Sequence, residues 1–94
     1  MDFLLRMFKS VANETRLEII SLLTKDRQLS LDDIVTQISR PYKTVAGHVK
    51  HLEKAGLLRS QRYKGEMLYF LNASGRMYYN QQLFWLIKKR IQAR

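Results

Sequence analysis

Hydrophobic residues in the first part of the chain recur at the spacing of short amphipathic helices. An apolar stripe over Phe3–Val11 predicts a first helix, and Asn13 can cap a second, in which Leu17 and Ile20 face inward. Ser30 is followed by two aspartates, which favour the first turn of a helix and predict a short third one. The pattern therefore predicts three consecutive helices, each with one face to bury.

Proline and glycine divide the next part of the chain. Pro41 suits the first position of a fourth helix, because the N–H at that position has no helical partner in any case. Gly56 suits the end of this helix. Residues 57–63 and 67–71 then predict two strands joined through Lys64-Gly65-Glu66, with glycine where a tight turn needs a positive backbone angle. The sequence therefore predicts a hairpin directly after the fourth helix.

The composition of the chain favours a polyanionic partner. The 94 residues carry 17 Lys and Arg against eight Asp and Glu, a formal charge of +9, which favours nucleic acid. Residues 40–64 hold seven basic and one acidic side chain, or +6 of that excess. The chain has no cysteine, which excludes disulfide, zinc-thiolate and iron–sulfur sites. We expect one folded domain over residues 1–94, in the cytoplasm and associated with the nucleoid, that does not cross a membrane.

The third and fourth helices, joined by a short turn, have the arrangement of a helix-turn-helix motif, whose second helix enters the major groove of DNA. Val45, Val49 and Leu52 predict its buried face. A second row with the same spacing, which starts two residues earlier, makes a polar, basic face of Lys43, Gly47, Lys50 and Lys54. A glycine on this face would let the helix approach the duplex closely. The expected contacts to bases or phosphates are Arg40, Tyr42, Lys43, Thr44, Gly47 and Lys50. The alternative is an ordinary solvated helix face.

The predicted hairpin is also basic. Arg59, Arg62 and Lys64 lie at or near its tip, where a wing would meet the phosphate backbone, and we expect contacts from Arg62 and Lys64. Two basic elements adjacent in sequence favour DNA binding over two independent solvated faces.

The chain contains VANETRLEII at residues 11–20, TVAGHVKHLEKAGLL at 44–58, and Lys64-Gly65 with Tyr69-Phe70. In combination these stretches resemble the ArsR family of winged-helix transcriptional regulators. The resemblance implies a mainly α fold with a small β-hairpin, that is, a winged helix-turn-helix of about five helices and a two- or three-stranded wing sheet. It also implies a homodimer that places two recognition helices in successive major grooves. The family commonly has histidine at the position of His48, which implies packing or phosphate contact there.

After Gly75 no helix breaker follows, and the terminal helix carries apolar and aromatic side chains on more than one face. A single small core cannot cover them all, whereas a two-fold dimer needs only one self-complementary patch. We therefore expect the terminal segments 1–12 and 74–94 to form a dimer interface, the alternative being a helix that packs only on its own core. The predicted interface residues are Phe3, Leu4, Met7, Phe8, Tyr78, Phe84, Trp85, Ile87 and Ile91.

The metal sites common in the family are absent from this sequence. The third helix has no cysteine, and residues 78–94 contain no Cys, His, Asp or Glu. His48 and His51 are the only histidines, and two ligands do not make a site. We expect no cofactor and no metal response.

Two functions remain from this sequence. The first is a homodimeric, sequence-specific regulator that binds double-stranded DNA at a pseudo-palindromic operator and represses by occluding a promoter, with its effector unknown. The second is a winged-helix interaction module within a larger transcription, chromatin or RNA-binding assembly. An enzyme is not expected, because no phosphate-binding loop, catalytic triad or metal triad appears.

Overall fold

The computed structural model describes residues 2–74 and 77–92. Residues 1, 75–76 and 93–94, which belong to the predicted terminal segments, lie outside the described residues. The elements in chain order are α1 (Phe3–Val11), α2 (Glu14–Lys25), β1 (Leu29–Ser30), α3 (Leu31–Ile38), α4 (Tyr42–Lys54), β2 (Leu58–Tyr63), β3 (Glu66–Leu71) and α5 (Tyr78–Gln92). The predicted mainly α fold is confirmed. A wing sheet of two or three strands was predicted, but the position of strand β1 was not, because two residues are too short to show a pattern.

Side-chain caps begin the early helices as the sequence indicates. The Asn13 side-chain oxygen accepts a hydrogen bond from the Arg16 amide at 3.0 Å, and Ser30 Oγ accepts one from the Asp33 amide at 3.1 Å. Helix α4 begins one residue later than predicted. Pro41 precedes its first residue and accepts from the Val45 amide through its carbonyl oxygen at 3.1 Å. Proline therefore serves here as the flanking residue rather than as the first helical one.

The three strands form an antiparallel sheet in the order β1-β3-β2. Tyr63 pairs with Glu66, so the connection is two residues long, and Glu66, predicted to be part of it, is the first residue of β3. Lys64 and Gly65 have φ angles of 49° and 83°. Positive φ at both positions is typical of a type I′ turn, whose twist matches that of the strands it joins. The wing is therefore a tight hairpin with a lysine at its tip.

Helix α2 is central and packs against each of the other four helices and β3. Ile19 and Ile20 are fully buried, while Leu17, predicted to face inward, is only half-buried. The side chains of Met7, Phe84 and Ile87 are also buried in this core. Little of these three side chains is left exposed on the protomer, and the interface predicted for them stays a prediction. No helix within the described ranges is long and apolar enough to span a bilayer.

Candidate nucleic-acid interface

The outer face of α4 lies opposite its buried face. Val45, Val49 and Leu52 are buried beneath the helix. Helical spacing places a row of polar positions on the side of α4 that faces away from the core, and every residue of this row is exposed. The neighbouring Thr44 is exposed as well. We call this surface the outer face of α4; it consists of Lys43, Gly47, Lys50 and Lys54. The predicted groove-facing lysines thus lie together on one solvent-exposed surface.

Gly47 lies in the middle of this surface. A Cβ atom built on it would meet no heavy atom of the described residues within 4 Å, apart from its own helix backbone and chain neighbours. Packing inside the protomer therefore does not require glycine at this position. Tyr42 is exposed on a different side, where it lines a shallow pocket of about 250 Å³ with Glu66 and Tyr69 of the wing.

The hairpin carries its basic side chains on two faces. Side chains alternate along a strand, so Ser60 and Arg62 share one face of β2 and Arg59 lies on the other. Ser60 Oγ donates a hydrogen bond to the carboxylate of Glu53 on α4, so the face of Ser60 and Arg62 is directed toward α4. Arg59 instead lies over the ring of Phe70, at 5.9 Å from its centroid. Arg62 is therefore the strand arginine on the same side as α4.

Lys64 lies at the tip of the wing. Its Nζ atom lies 5.4 Å from the centroid of the Tyr63 ring, and both side chains are exposed. A cation held over an aromatic ring keeps its charge available to solvent or to an anion. The predicted phosphate-contacting residues of the wing, Arg62 and Lys64, thus flank this tyrosine.

Arg40 precedes α4 and is turned toward α2. Its guanidinium donates to Thr15 Oγ1 and to the Glu18 carboxylate, with an N–O distance of 2.7 Å to Glu18. A weaker ion pair with Glu14 spans 3.7 Å. The guanidinium expected from the sequence to meet phosphate therefore links the turn between α3 and α4 to the central helix.

His48 lies on the side of α4 that faces α2. Its Nδ1 atom is 3.2 Å from Nη1 of Arg16, whose Nε also donates to the Ser10 carbonyl oxygen at 2.6 Å. A guanidinium can only donate, so Nδ1 must accept, and a neutral imidazole then carries its proton on Nε2. Arg16, which was not among the predicted site residues, thus links the end of α1 to α4.

The surroundings of the two histidines favour their neutral forms. Partial burial and then the Arg16 charge lower the pKa of His48 below its usual value, with smaller contributions from His51 and Arg40. The pKa of His51 is lowered by burial and by Arg16 in the same order. Near neutral pH both rings are therefore expected to be uncharged. Within residues 2–74 and 77–92, no three His, Cys, Asp or Glu side chains form a group that could hold a metal ion.

An exposed aromatic surface covers parts of α1 and α5. The Phe3 and Tyr79 rings lie 6.3 Å apart, and Tyr79 meets Tyr78 edge to face at 5.7 Å. Further along α5, Trp85 and Leu86 are 58% and 60% exposed. We call the exposed large apolar side chains of α1 and α5 together the terminal face; they are Phe3, Leu5, Phe8, Tyr78, Tyr79, Trp85 and Leu86. Leu5, Tyr79 and Leu86 were not among the predicted interface residues. The half-buried Leu4 and Ile91 lie closer to the core.

Comparison with known proteins agrees with this architecture. The model of the HVO_A0114 family matches residues 11–71. An uncharacterized HTH-type transcriptional regulator of Methanocaldococcus jannaschii is 29% identical over 56 residues, which cover 60% of this chain. The match spans 63% of that regulator, so this chain accounts for less than two thirds of its length.

Solved structures share the fold over nearly the whole chain. One is the homodimeric winged helix-turn-helix DNA-binding domain of a possible ArsR-family regulator from Mycobacterium bovis, with a TM-score of 0.79 and 23% identity over 97% of this chain and 80% of that one. HlyU from Vibrio cholerae has a TM-score of 0.74 and 23% identity over 89% of this chain and 90% of its own. These likenesses confirm the winged helix-turn-helix fold and the predicted resemblance to ArsR-type regulators.

Proposed function

This chain belongs to the HVO_A0114 family, and on that premise we propose that it is a transcriptional regulator that binds double-stranded DNA as a homodimer. The observation that carries the proposal is the outer face of α4. Three exposed lysines surround a glycine on this face, which lies beside a wing with Arg62 and Lys64 near its tip. In a winged helix-turn-helix protein such a helix enters the major groove while the wing follows the phosphate backbone.

Phosphate contacts and base contacts contribute differently to DNA binding. Lys50, Arg62 and Lys64 neutralise phosphates, which contributes affinity for any sequence. Tyr42, Lys43 and Thr44 at the start of α4 are the side chains we propose for base contacts, because recognition helices read bases with their N-terminal residues. Nε2 of His48 is available as a donor to a phosphate oxygen. Arg40 braces the turn through Thr15 and Glu18, and the phosphate contact expected of it from the sequence stays a prediction.

Homodimerisation completes the proposed site. The terminal face is apolar and exposed, and pairing it with its copy by a two-fold axis presents two recognition helices to one side of a duplex. The operator is then a pseudo-palindrome whose half-sites lie about one helical turn, ~34–36 Å, apart. Binding to such an operator represses transcription by occluding the promoter, and it does so without a metal ion.

The test is selection of bound fragments from a random DNA pool at several salt concentrations. We expect enrichment of an inverted repeat that survives moderate salt, since base contacts give sequence preference and phosphate contacts give salt dependence. Lys43→Ala combined with Lys50→Ala should abolish the enrichment in a protein that remains folded. A control pair, Lys25→Ala with Arg27→Ala, removes the same charge from the exposed end of α2 and should preserve it. Binding without sequence preference would refute the proposal.

A further inference from the structure

A second basic surface lies where α1 meets the C-terminal end of α4. Arg6, Lys9, Ser10, His51, Lys54 and Ala55 line a hollow of about 400 Å³. Three of these side chains are positively charged at neutral pH, and no carboxylate is among the described residues that line the hollow. Helix α1 itself contains no acidic residue between Phe3 and Val11. The positive charge of this hollow is therefore not compensated by the residues that line it.

The hollow is continuous with the outer face of α4. Lys54 belongs to both, because it lies one helical turn beyond Lys50 on the outer face and also lines the hollow. An anionic chain that follows the outer face of α4 past Lys54 would thus reach Arg6 and Lys9 next. Both α1 side chains are exposed, as is Lys54, which suits contact with an extended backbone.

Helix α1 is held in a defined position beside α4. Arg16 of α2 donates to the carbonyl oxygen of Ser10 in α1 and to Nδ1 of His48 in α4, so one side chain joins all three helices. Ser10 is buried at this junction. The basic side chains of α1 are therefore presented at a fixed place relative to the recognition helix.

From this geometry we infer that Arg6 and Lys9 contact the sugar-phosphate backbone of the same duplex that α4 enters. The inference rests on the proposed function and extends the DNA interface beyond the helix-turn-helix and the wing to α1. The contacts are electrostatic and independent of base sequence, because flexible cationic side chains on phosphate carry no base information. They contribute affinity and salt dependence rather than specificity.

The experiment measures DNA affinity against salt concentration for the intact protein and for Arg6→Gln combined with Lys9→Gln. Each phosphate that the variant no longer neutralises should reduce the slope of log K against log salt by about 0.9. We expect the double variant to bind both its selected operator and an unrelated duplex more weakly, with a shallower slope and an unchanged operator preference. Sedimentation at the working concentration verifies that the variant is still a dimer, since α1 also contributes to the terminal face.

The matched control is Lys25→Gln with Arg27→Gln, which changes the net charge equally at the exposed end of α2. If both double variants show the same slope, the contact by α1 is refuted, while operator binding by the intact protein leaves the proposed function standing. If the intact protein binds no DNA, both proposals fail. In a further experiment, inorganic pyrophosphate is titrated into the intact protein and the double variant. If the intact protein binds it saturably, the Arg6 and Lys9 changes abolish this binding, and the salt slope of DNA binding is unchanged, the hollow binds a free anion and the inference is overturned.

Discussion

Gly47 shows at the scale of one residue how stability and DNA binding can require different side chains. Gly47→Ala should raise the free energy of unfolding by about 0.5–1 kcal/mol, because glycine inside a helix costs conformational entropy and the added methyl meets open space. The same methyl group stands on the outer face of α4, so DNA affinity should fall. Urea unfolding and operator titration measure the two effects. A variant that is more stable and binds equally well would contradict the close approach of the helix to DNA.

Arg40 offers a second prediction at this scale, through its partner Glu18. Glu18→Gln removes the charge-assisted pair while keeping Arg40, so a bracing role predicts weaker operator binding by about twofold to fivefold, the equivalent of ~0.5–1 kcal/mol. A direct phosphate contact by Arg40 predicts the opposite, since removal of a nearby carboxylate would strengthen it. Glu14→Gln is the matched control, because it removes the same charge from a side chain that is 86% exposed and 3.7 Å away.

The contribution of the wing to DNA binding can be measured separately from the stability of its hairpin. Lys64→Asn places a residue type that tolerates positive φ before Gly65 and removes the charge. We expect a hairpin that is more stable by about 1 kcal/mol, because asparagine tolerates positive φ better than lysine. Binding to every duplex should be weaker, with a salt slope reduced by about 0.9 for each phosphate that is no longer neutralised. Lys64→Ala should weaken binding in the same way and leave the hairpin about 1 kcal/mol less stable than the asparagine variant, because alanine, like lysine, resists this backbone region.

Thermal unfolding and salt-dependent DNA titration of the two variants distinguish these effects. Equal stability of the asparagine and alanine variants would argue against the turn geometry, and an unchanged salt slope in both would argue against the phosphate contact.

Most of the elements could be predicted because their signals are local. The cap at Asn13 and the glycine at position 56 act within a helical turn, so a short stretch of sequence contains all that they require. Strand β1 could not be predicted in this way. Leu29 and Ser30 become a strand only because Tyr69 and Leu68 of β3 lie beside them, and these partners are far away in sequence.

At the scale of the whole molecule, the exposed terminal face predicts that the protein forms a dimer. Leu86→Glu places a charge on this face at a side chain that is not part of the buried core, so we expect a monomer in sedimentation experiments and weaker binding to an inverted repeat. Trp85, the only tryptophan in the chain, is its neighbour. Its fluorescence should shift to longer wavelength as the variant exposes it to water.

Lys88→Glu on the same helix is the control for adding a negative charge, since Lys88 is exposed but does not belong to the terminal face. It should leave the dimer intact. A wild-type protein that sediments as a monomer, with the same tryptophan emission as the Leu86 variant, would refute the dimer.

The sequence by itself determined the order of the helices, the wing, the excess of charge around α4 and the absence of thiol chemistry. These properties depend on composition and on spacing over a few residues. The tertiary structure decided which side of each element remained exposed. Met7, Phe84 and Ile87 pack into the protomer's own core, and Arg40 turns to α2. The physical reason is that burial and pairing depend on which distant segments come to lie against a side chain, and packing in three dimensions determines those neighbours.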